Sequence, residues 1–257
     1  IMIKLAFYGK GGIGKSTAAS NVSVALAQKG LKVMQIGCDP KADSTINLLG
    51  GEPVMPVMNY LREHDDEPES IEEISKEGYG GVLCIETGGP TPGLGCAGRG
   101  IIAALEELEK KGAYEKYQPD VVIYDVLGDV VCGGFSMPMR KGYADKVFII
   151  TSGESMSVYA AANIAMAVEN FKSRGYACLG GFILNKRNVK NEEEKAAELA
   201  ADFHSSVIAE IDRSDLVSEA EDMRKTVMEA FPDSTAAKQY KALADKIAEL
   251  CGMEEEK

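Results

Sequence analysis

Short apolar runs alternate along this chain with longer stretches in which apolar residues recur at helical spacing. Runs over residues 5–8, 32–37, 82–85, 121–124, 147–150 and 179–184 predict strands. Helical spacing over 16–29, stopped by Gly30, predicts the first helix, and the same spacing recurs over 101–111, 157–173, 192–203 and 236–250. Strands alternating with helices predict an α/β fold with a mostly parallel sheet and helices on both faces. Residues 63–77 are dense in charge and read as a solvated helix or loop, and 254–257 as a frayed end. With no internal repeat and no long linker, residues 1–257 are expected to form a single domain.

Composition narrows the classes. A chain of 257 residues with 45% hydrophobic content is long enough for one sizeable core. The formal net charge of −12 argues against general binding to nucleic acid or to an anionic membrane, since both are negative. No apolar run approaches the roughly 18 residues needed to span a bilayer. Ile1-Met2-Ile3-Lys4 leads straight into a strand, so no signal peptide is expected, Ile1 reads as an addition ahead of Met2, and the expected location is cytoplasmic.

The six cysteines are Cys38, Cys84, Cys96, Cys132, Cys178 and Cys251. In a cytoplasmic chain they read as buried thiols, metal ligands or redox groups rather than disulfides. There is no C-x-x-C pair, and with only His64 and His204 a histidine-based metal site is not expected.

Gly9-Lys10-Gly11-Gly12-Ile13-Gly14-Lys15-Ser16-Thr17 matches G-x-x-x-x-G-K-[ST] between a predicted strand and a predicted helix, the context that a phosphate-binding loop requires. Glycines let backbone N–H groups curl around phosphate oxygens, and the helix N-terminus adds positive dipole. Lys15 is expected on the outer phosphates and the Ser16 hydroxyl on Mg²⁺. Lys10, a second lysine early in the loop, resembles the deviant Walker A class of dimeric ATPases. That resemblance implies that Lys10 reaches the nucleotide of the opposite subunit.

Val121-Val122-Ile123-Tyr124-Asp125 is an apolar strand ending in an acid, a Walker B pattern that places Asp125 near Mg²⁺ through water. Cys38-Asp39-Pro40-Lys41-Ala42-Asp43-Ser44 follows the second strand, at the same sheet edge as the phosphate loop. There Asp39 and Asp43 are expected near Mg²⁺ or the attacking water.

Two cysteines sit among glycines, in Gly95-Cys96-Ala97-Gly98-Arg99-Gly100 and in Asp129-Val130-Val131-Cys132-Gly133-Gly134. Glycines leave backbone N–H groups free to bond cluster sulfur, and a helix N-terminus after Cys96 favours negative charge. A [4Fe–4S] cluster needs four thiolates, so two per chain suggest one cluster on the axis of a homodimer, with completion within one chain by Cys38 or Cys84 as the alternative. Cys38, Cys84 and Cys178 are otherwise expected to be core thiols, and Cys251 incidental.

Taken together, these segments closely resemble the nitrogenase iron protein family over nearly the whole chain. That family includes nitrogenase reductase and the reductases of protochlorophyllide reduction and nickel-tetrapyrrole cyclisation. The resemblance implies that Cys96 and Cys132 ligate the cluster, and that Lys10, Lys15, Ser16, Lys41, Asp43 and Asp125 contact ATP or ADP and Mg²⁺. It further implies Asp39, Asp43, Asp125 and Asp129 as switch residues, Asp129 as a base for the attacking water, and Asn185 as an adenine contact. Arg99 resembles the arginine near which the catalytic partner docks, and ferredoxin or flavodoxin is the implied reductant. Three features depart from the family: Asp212-Arg213-Ser214 where Pro-Arg-Asp is usual, little chain after Leu250, and Ala97-Gly98-Arg99 where the chlorophyll-type branch carries a Gly-Tyr pair.

The expected function is ATP-dependent electron donation to a nitrogenase or nitrogenase-like partner. The alternatives are the reductase of a nickel-tetrapyrrole cyclase system or an iron–sulfur scaffold ATPase, the latter disfavoured by the lack of C-x-x-C. A partitioning or cell-division ATPase would share the phosphate loop, but Glu254-Glu255-Glu256 after the last predicted helix disfavours an anionic membrane. Asp125 and Cys132 lie seven residues apart, so a movement at the γ-phosphate is expected to disturb the cluster ligand.

Overall fold

In β1 (Ile3–Gly9), successive side chains feed two separate hydrophobic layers: Leu5 and Phe7 enter one, Ala6 and Tyr8 the other. All four are at most 1% exposed, which makes β1 a central strand buried on both faces. The computed structural model describes residues 2–64, 68–89, 97–128, 136–140 and 142–253.

The remaining strands are β2 (Val33–Cys38), β3 (Lys76–Glu77), β4 (Leu83–Glu86), β5 (Val121–Val126), β6 (Lys146–Thr151), β7 (Cys178–Asn185) and β8 (Val207–Ile211). Among the described residues they form one sheet in the order β3-β4-β2-β5-β1-β6-β7-β8. Every pairing is parallel except β3 with β4. The chain winds from β1 outward through β2 and β4, returns at β5 beside β1, then continues to the far edge. The reversal opens a crevice at the C-terminal ends of β1, β2 and β5, where ligands bind in such sheets.

The helices are α1 (Lys15–Gln28), α2 (Val57–Glu63), α3 (Ala97–Lys110), α4 (Ala113–Tyr117), α5 (Ser155–Lys172), α6 (Glu192–Asp202), α7 (Asp215–Asp222), α8 (Val227–Ala230) and α9 (Thr235–Cys251). α1 and α9 cover the Leu5/Phe7 face, while α3, α5 and α6 cover the other. α9 buries Tyr240, Leu243, Ala244, Ile247 and Ala248 at helical spacing. Each large apolar side chain in that stripe contributes about 1.5–3 kcal/mol. Its start is capped by Ser234, whose hydroxyl accepts from the Ala237 N–H, and Gly252, in the left-handed region, ends it.

The six strands and five helices expected from the sequence are all present, with ends shifted by a few residues. The chain also contains β3, β8, α2, α4, α7 and α8, which the apolar pattern does not announce. Residues 63–77 are not a purely solvated stretch: a 3₁₀ turn (Ile71–Ile74) buries both of its isoleucines, and Lys76–Glu77 pairs with β4. Cys38 and Cys84 are fully buried as expected, but Cys178 is exposed. It is the first residue of β7, ahead of Phe182, where the pairing with β8 begins. No helix among the described residues is long and apolar enough to cross a membrane.

Candidate nucleotide and metal site

The end of β1 runs directly into the glycine-rich loop, and three glycines there are needed for their shape. Gly9, Gly12 and Gly14 all have positive φ, and a Cβ on Gly9 would strike the Ile150 carbonyl of β6. Lys15 folds back so that its Nζ donates to the Lys10 carbonyl at 3.2 Å, and Asn185 Nδ2 donates to the Ile13 carbonyl at 2.7 Å. Arg187 Nη2 donates to the Gly12 carbonyl at 2.9 Å. The loop is therefore held by Asn185 at the end of β7 and by Arg187 in its following turn, and by the Ile13 N–H, which donates to the Lys10 carbonyl at 3.2 Å.

A cavity of about 630 Å³ opens over this loop. Its walls include Lys15, Ser16 and Thr17 from α1, Asp39, Lys41 and Asp43 from the segment after β2, and Asp125 from β5. At its floor Asp125 Oδ2 accepts from Ser16 Oγ at 2.5 Å and from Ser44 Oγ at 2.6 Å. Burial pushes the Asp125 carboxyl above the usual carboxylate range, while the two hydroxyls and nearby Lys15 act against that rise. A divalent cation would take over the compensation: a hydroxyl and a carboxylate already converge on one point, the donor set that Mg²⁺ uses beside phosphate. The residues present fit a nucleotide with its Mg²⁺.

Ser44 is itself fixed from below. Gln35 of β2, fully buried, donates from Nε2 to Ser44 Oγ at 3.1 Å and to Ser20 Oγ at 3.1 Å, while Ser23 Oγ donates to Gln35 Oε1 at 2.8 Å. This buried polar network ties α1, β2 and the segment 39–45 together. In that segment Asp39 Oδ1 accepts from the Lys41 N–H at 2.8 Å, and Lys41 Nζ lies 3.7 Å from Asp39 and 3.8 Å from Asp43.

The structure gathers Lys15, Ser16, Thr17, Asp39, Lys41, Asp43 and Asp125 around one cavity. Lys10 and Asn185 do not line that cavity: the Lys10 backbone carbonyl accepts from Lys15 Nζ, and the Asn185 amide donates to the Ile13 carbonyl. Asp129, Cys96 and Cys132 lie outside the described residues. Arg99 is exposed in the first turn of α3. Sequence reasoning missed Glu221, Asp222 and Arg224, which α7 and its following turn bring to the cavity wall. Glu221 Oε1 accepts from Thr17 Oγ1 at 2.5 Å. Their signal was a tertiary one, since α7 is polar and buries only Ala220.

The fold and this loop together define a protein of P-loop NTPase-like fold. In structure the chain is similar to the cell division ATPase MinD of Pyrococcus furiosus (TM-score 0.74, 19% identity, 97% of this chain and 100% of that one). It is similar also to the septum site-determining protein MinD of Pyrococcus horikoshii OT3 (TM-score 0.75, 19% identity, 98% of each chain). At that identity the likeness concerns the fold alone. Sequence is more specific. Residues 3–253 match the model of the 4Fe-4S iron sulfur cluster binding proteins of the NifH/frxC family, and the chain belongs to that family. It is 50% identical over 248 residues to the nitrogenase iron protein of Methanospirillum hungatei JF-1, covering 96% of this chain and 88% of that protein. To the nitrogenase iron protein of Methanococcus voltae it is 46% identical over 248 residues, covering 96% and 89%.

Proposed function

We propose that this chain is the ATP-hydrolysing electron donor of a nitrogenase or nitrogenase-like system. In this reading two copies, each a single unit spanning residues 1–257, hold one [4Fe–4S] cluster between them in the cytoplasm. The observation that carries the nucleotide half is the pair of hydroxyls, Ser16 and Ser44, converging on Asp125 at the floor of the cavity. Family membership carries the cluster half. When bound, the cluster supplies the one-electron chemistry; Cys96 and Cys132 are the residues that would hold it.

The chain's own residues supply the rest. The phosphate loop and Lys15 would bind and orient the phosphates, and Ser16 and Asp125 would hold a divalent metal that neutralises their charge. Asp39 and Asp129 stand as positioning or basic groups for the attacking water, and Lys10 as a cation brought to the other copy's nucleotide when the dimer closes. Asp125 opens the segment that leads to Cys132. A shift of its carboxylate on nucleotide exchange is therefore transmitted toward the cluster ligand. Arg99 marks the face offered to the catalytic partner, and a low-potential ferredoxin or flavodoxin recharges the protein.

Anaerobically purified protein tests both halves. Iron analysis is expected to give four irons per dimer, and MgATP to speed removal of that iron by a chelator. Asp125→Glu, which keeps charge but moves it, is expected to abolish the MgATP effect. Four irons per chain would overturn the bridged cluster, and an unchanged MgATP effect in Asp125→Glu would overturn the linkage.

A further inference from the structure

The last rung that β4, β2 and β5 share carries an unusual set of side chains. Gly37 of β2 pairs with Glu86 of β4 on one side and with Asp125 of β5 on the other. Two carboxyl groups thus flank a residue without a side chain. The gap is occupied: a Cβ on Gly37 would lie 2.6 Å from Glu86 Cδ and 2.6 Å from Ser44 Cβ, and closer still to Glu86 Oε2. Glu86 is 1% exposed.

Glu86 Oε1 accepts twice from one residue, from the Thr45 N–H at 2.7 Å and from Thr45 Oγ1 at 2.7 Å. Its Oε2 has no hydrogen-bond partner among the described residues. Ser44 and Thr45 therefore straddle the rung, the first donating to Asp125 and the second to Glu86. The segment before them meets the extension of β4 as well. A Cβ on Gly89 would lie 2.5 Å from Pro40 Cβ, and the Thr87 N–H donates to the Gly37 carbonyl at 2.8 Å.

We propose that Glu86 is a positioning residue for the metal–nucleotide site: by fixing Thr45 it sets the Ser44 hydroxyl on Asp125, and so the geometry in which Asp125 meets the metal. It touches neither nucleotide nor metal. This rests on the nucleotide reading above and adds to it a residue that the phosphate-loop and Walker B patterns do not contain. What Thr45 requires is an acceptor, not a charge. Burial pushes the Glu86 carboxyl up to about 8, so at neutral pH the group is an acid whose Oε1 remains an acceptor.

Calorimetric titration of the cluster-bearing protein with ADP, once with Mg²⁺ and once with EDTA, tests this. The readout is the gain in affinity that Mg²⁺ brings. Glu86→Ala and Thr45→Val are each expected to lower that gain about tenfold while leaving ADP binding in EDTA unchanged. Glu86→Gln keeps the acceptor and is expected to keep the gain within about twofold of wild type. The double variant Glu86→Ala/Thr45→Val is expected to lose no more than the worse single variant. The proposal is overturned if Glu86→Ala or Thr45→Val keeps the full gain, if affinity falls equally with and without Mg²⁺, or if the losses add. Should Glu86→Ala not fold, Thr45→Val and Glu86→Gln decide alone. Failure of wild type to bind MgADP would overturn the nucleotide reading and this inference with it. A wild type that binds normally beside unaffected variants overturns only the inference.

Discussion

Raising the pH from 5 to 9 should destabilise this protein through Glu86. Its carboxyl titrates near 8 in the folded chain, against 4.5 for an unburied group, chiefly because burial disfavours the charged form. The two Thr45 hydrogen bonds oppose the shift, and the charges of Asp125 and Asp43 add to it. The Cys38 and Cys84 thiols also face it, and burial keeps both neutral through this range. Between about pH 4.5 and 8 the folded chain keeps a proton that the unfolded chain has released, so stability falls across that window and is level outside it. At about 1.4 kcal/mol per pH unit the loss approaches roughly 4–5 kcal/mol, or on the order of 10 °C in Tm for a chain of this length. Glu86→Gln does not titrate. Its own cost, a buried amide in place of an acid, is constant with pH. The assay is thermal unfolding of both proteins without nucleotide, with chelator, at one fixed protein concentration, in steps from pH 5 to 9. The Tm of wild type minus that of Glu86→Gln should fall from pH 5 to about 8 and then level off. A difference that stays flat, or grows in favour of wild type, would refute a neutral Glu86.

Gly37→Ala forces a methyl into space held by Glu86 and Ser44 and should cost about 1–3 kcal/mol in urea unfolding, with loss of Mg²⁺-dependent ADP affinity. A variant within about 0.5 kcal/mol of wild type would mean that the rung has slack. Iodoacetamide at pH 8 should label exposed Cys178 and spare Cys38 and Cys84, whose thiols burial pushes up. Peptide mass spectrometry reads this directly, and rapid labelling of Cys38 would contradict the packing beneath segment 39–45.

What could be read in the sequence was what is local in sequence. The phosphate loop is nine consecutive residues with a strand before and a helix after, so motif and context sit side by side. Central strands announce themselves because burial on both faces demands unbroken apolar runs, as at residues 121–124. The edges do not. β8 is only partly buried and carries Glu210 in its run, and α2 buries Val57 alone. Ile71 and Ile74 were hidden among glutamates, although both pack into the core. Cys178 misled in the opposite direction: an apolar run follows it, but it stands at the start of β7, before that strand pairs with β8. At the site the same division holds. Asp125 is legible as the end of an apolar strand, whereas Glu221 and Glu86 matter only because α7 and β4 fold back to the loop.

The adjacency of Ser44 and Thr45 has a mechanical consequence. Two neighbouring residues of one segment each hold a different strand end, and their hydrogen bonds, at 2.6 and 2.7 Å, tolerate little displacement before they weaken. A ligand that draws Ser44 away from Asp125 must therefore strain the Thr45 bonds to Glu86 or carry β4's end with it. Gln35 resists the first movement by holding Ser44 from β2. The chain leaving β5 runs on to Cys132 and the chain leaving β4 runs on to Cys96. If those two cysteines hold the cluster, one pair of adjacent hydroxyl residues stands between the nucleotide and both ligand segments. A lever built on Asp125 alone would reach only one of them.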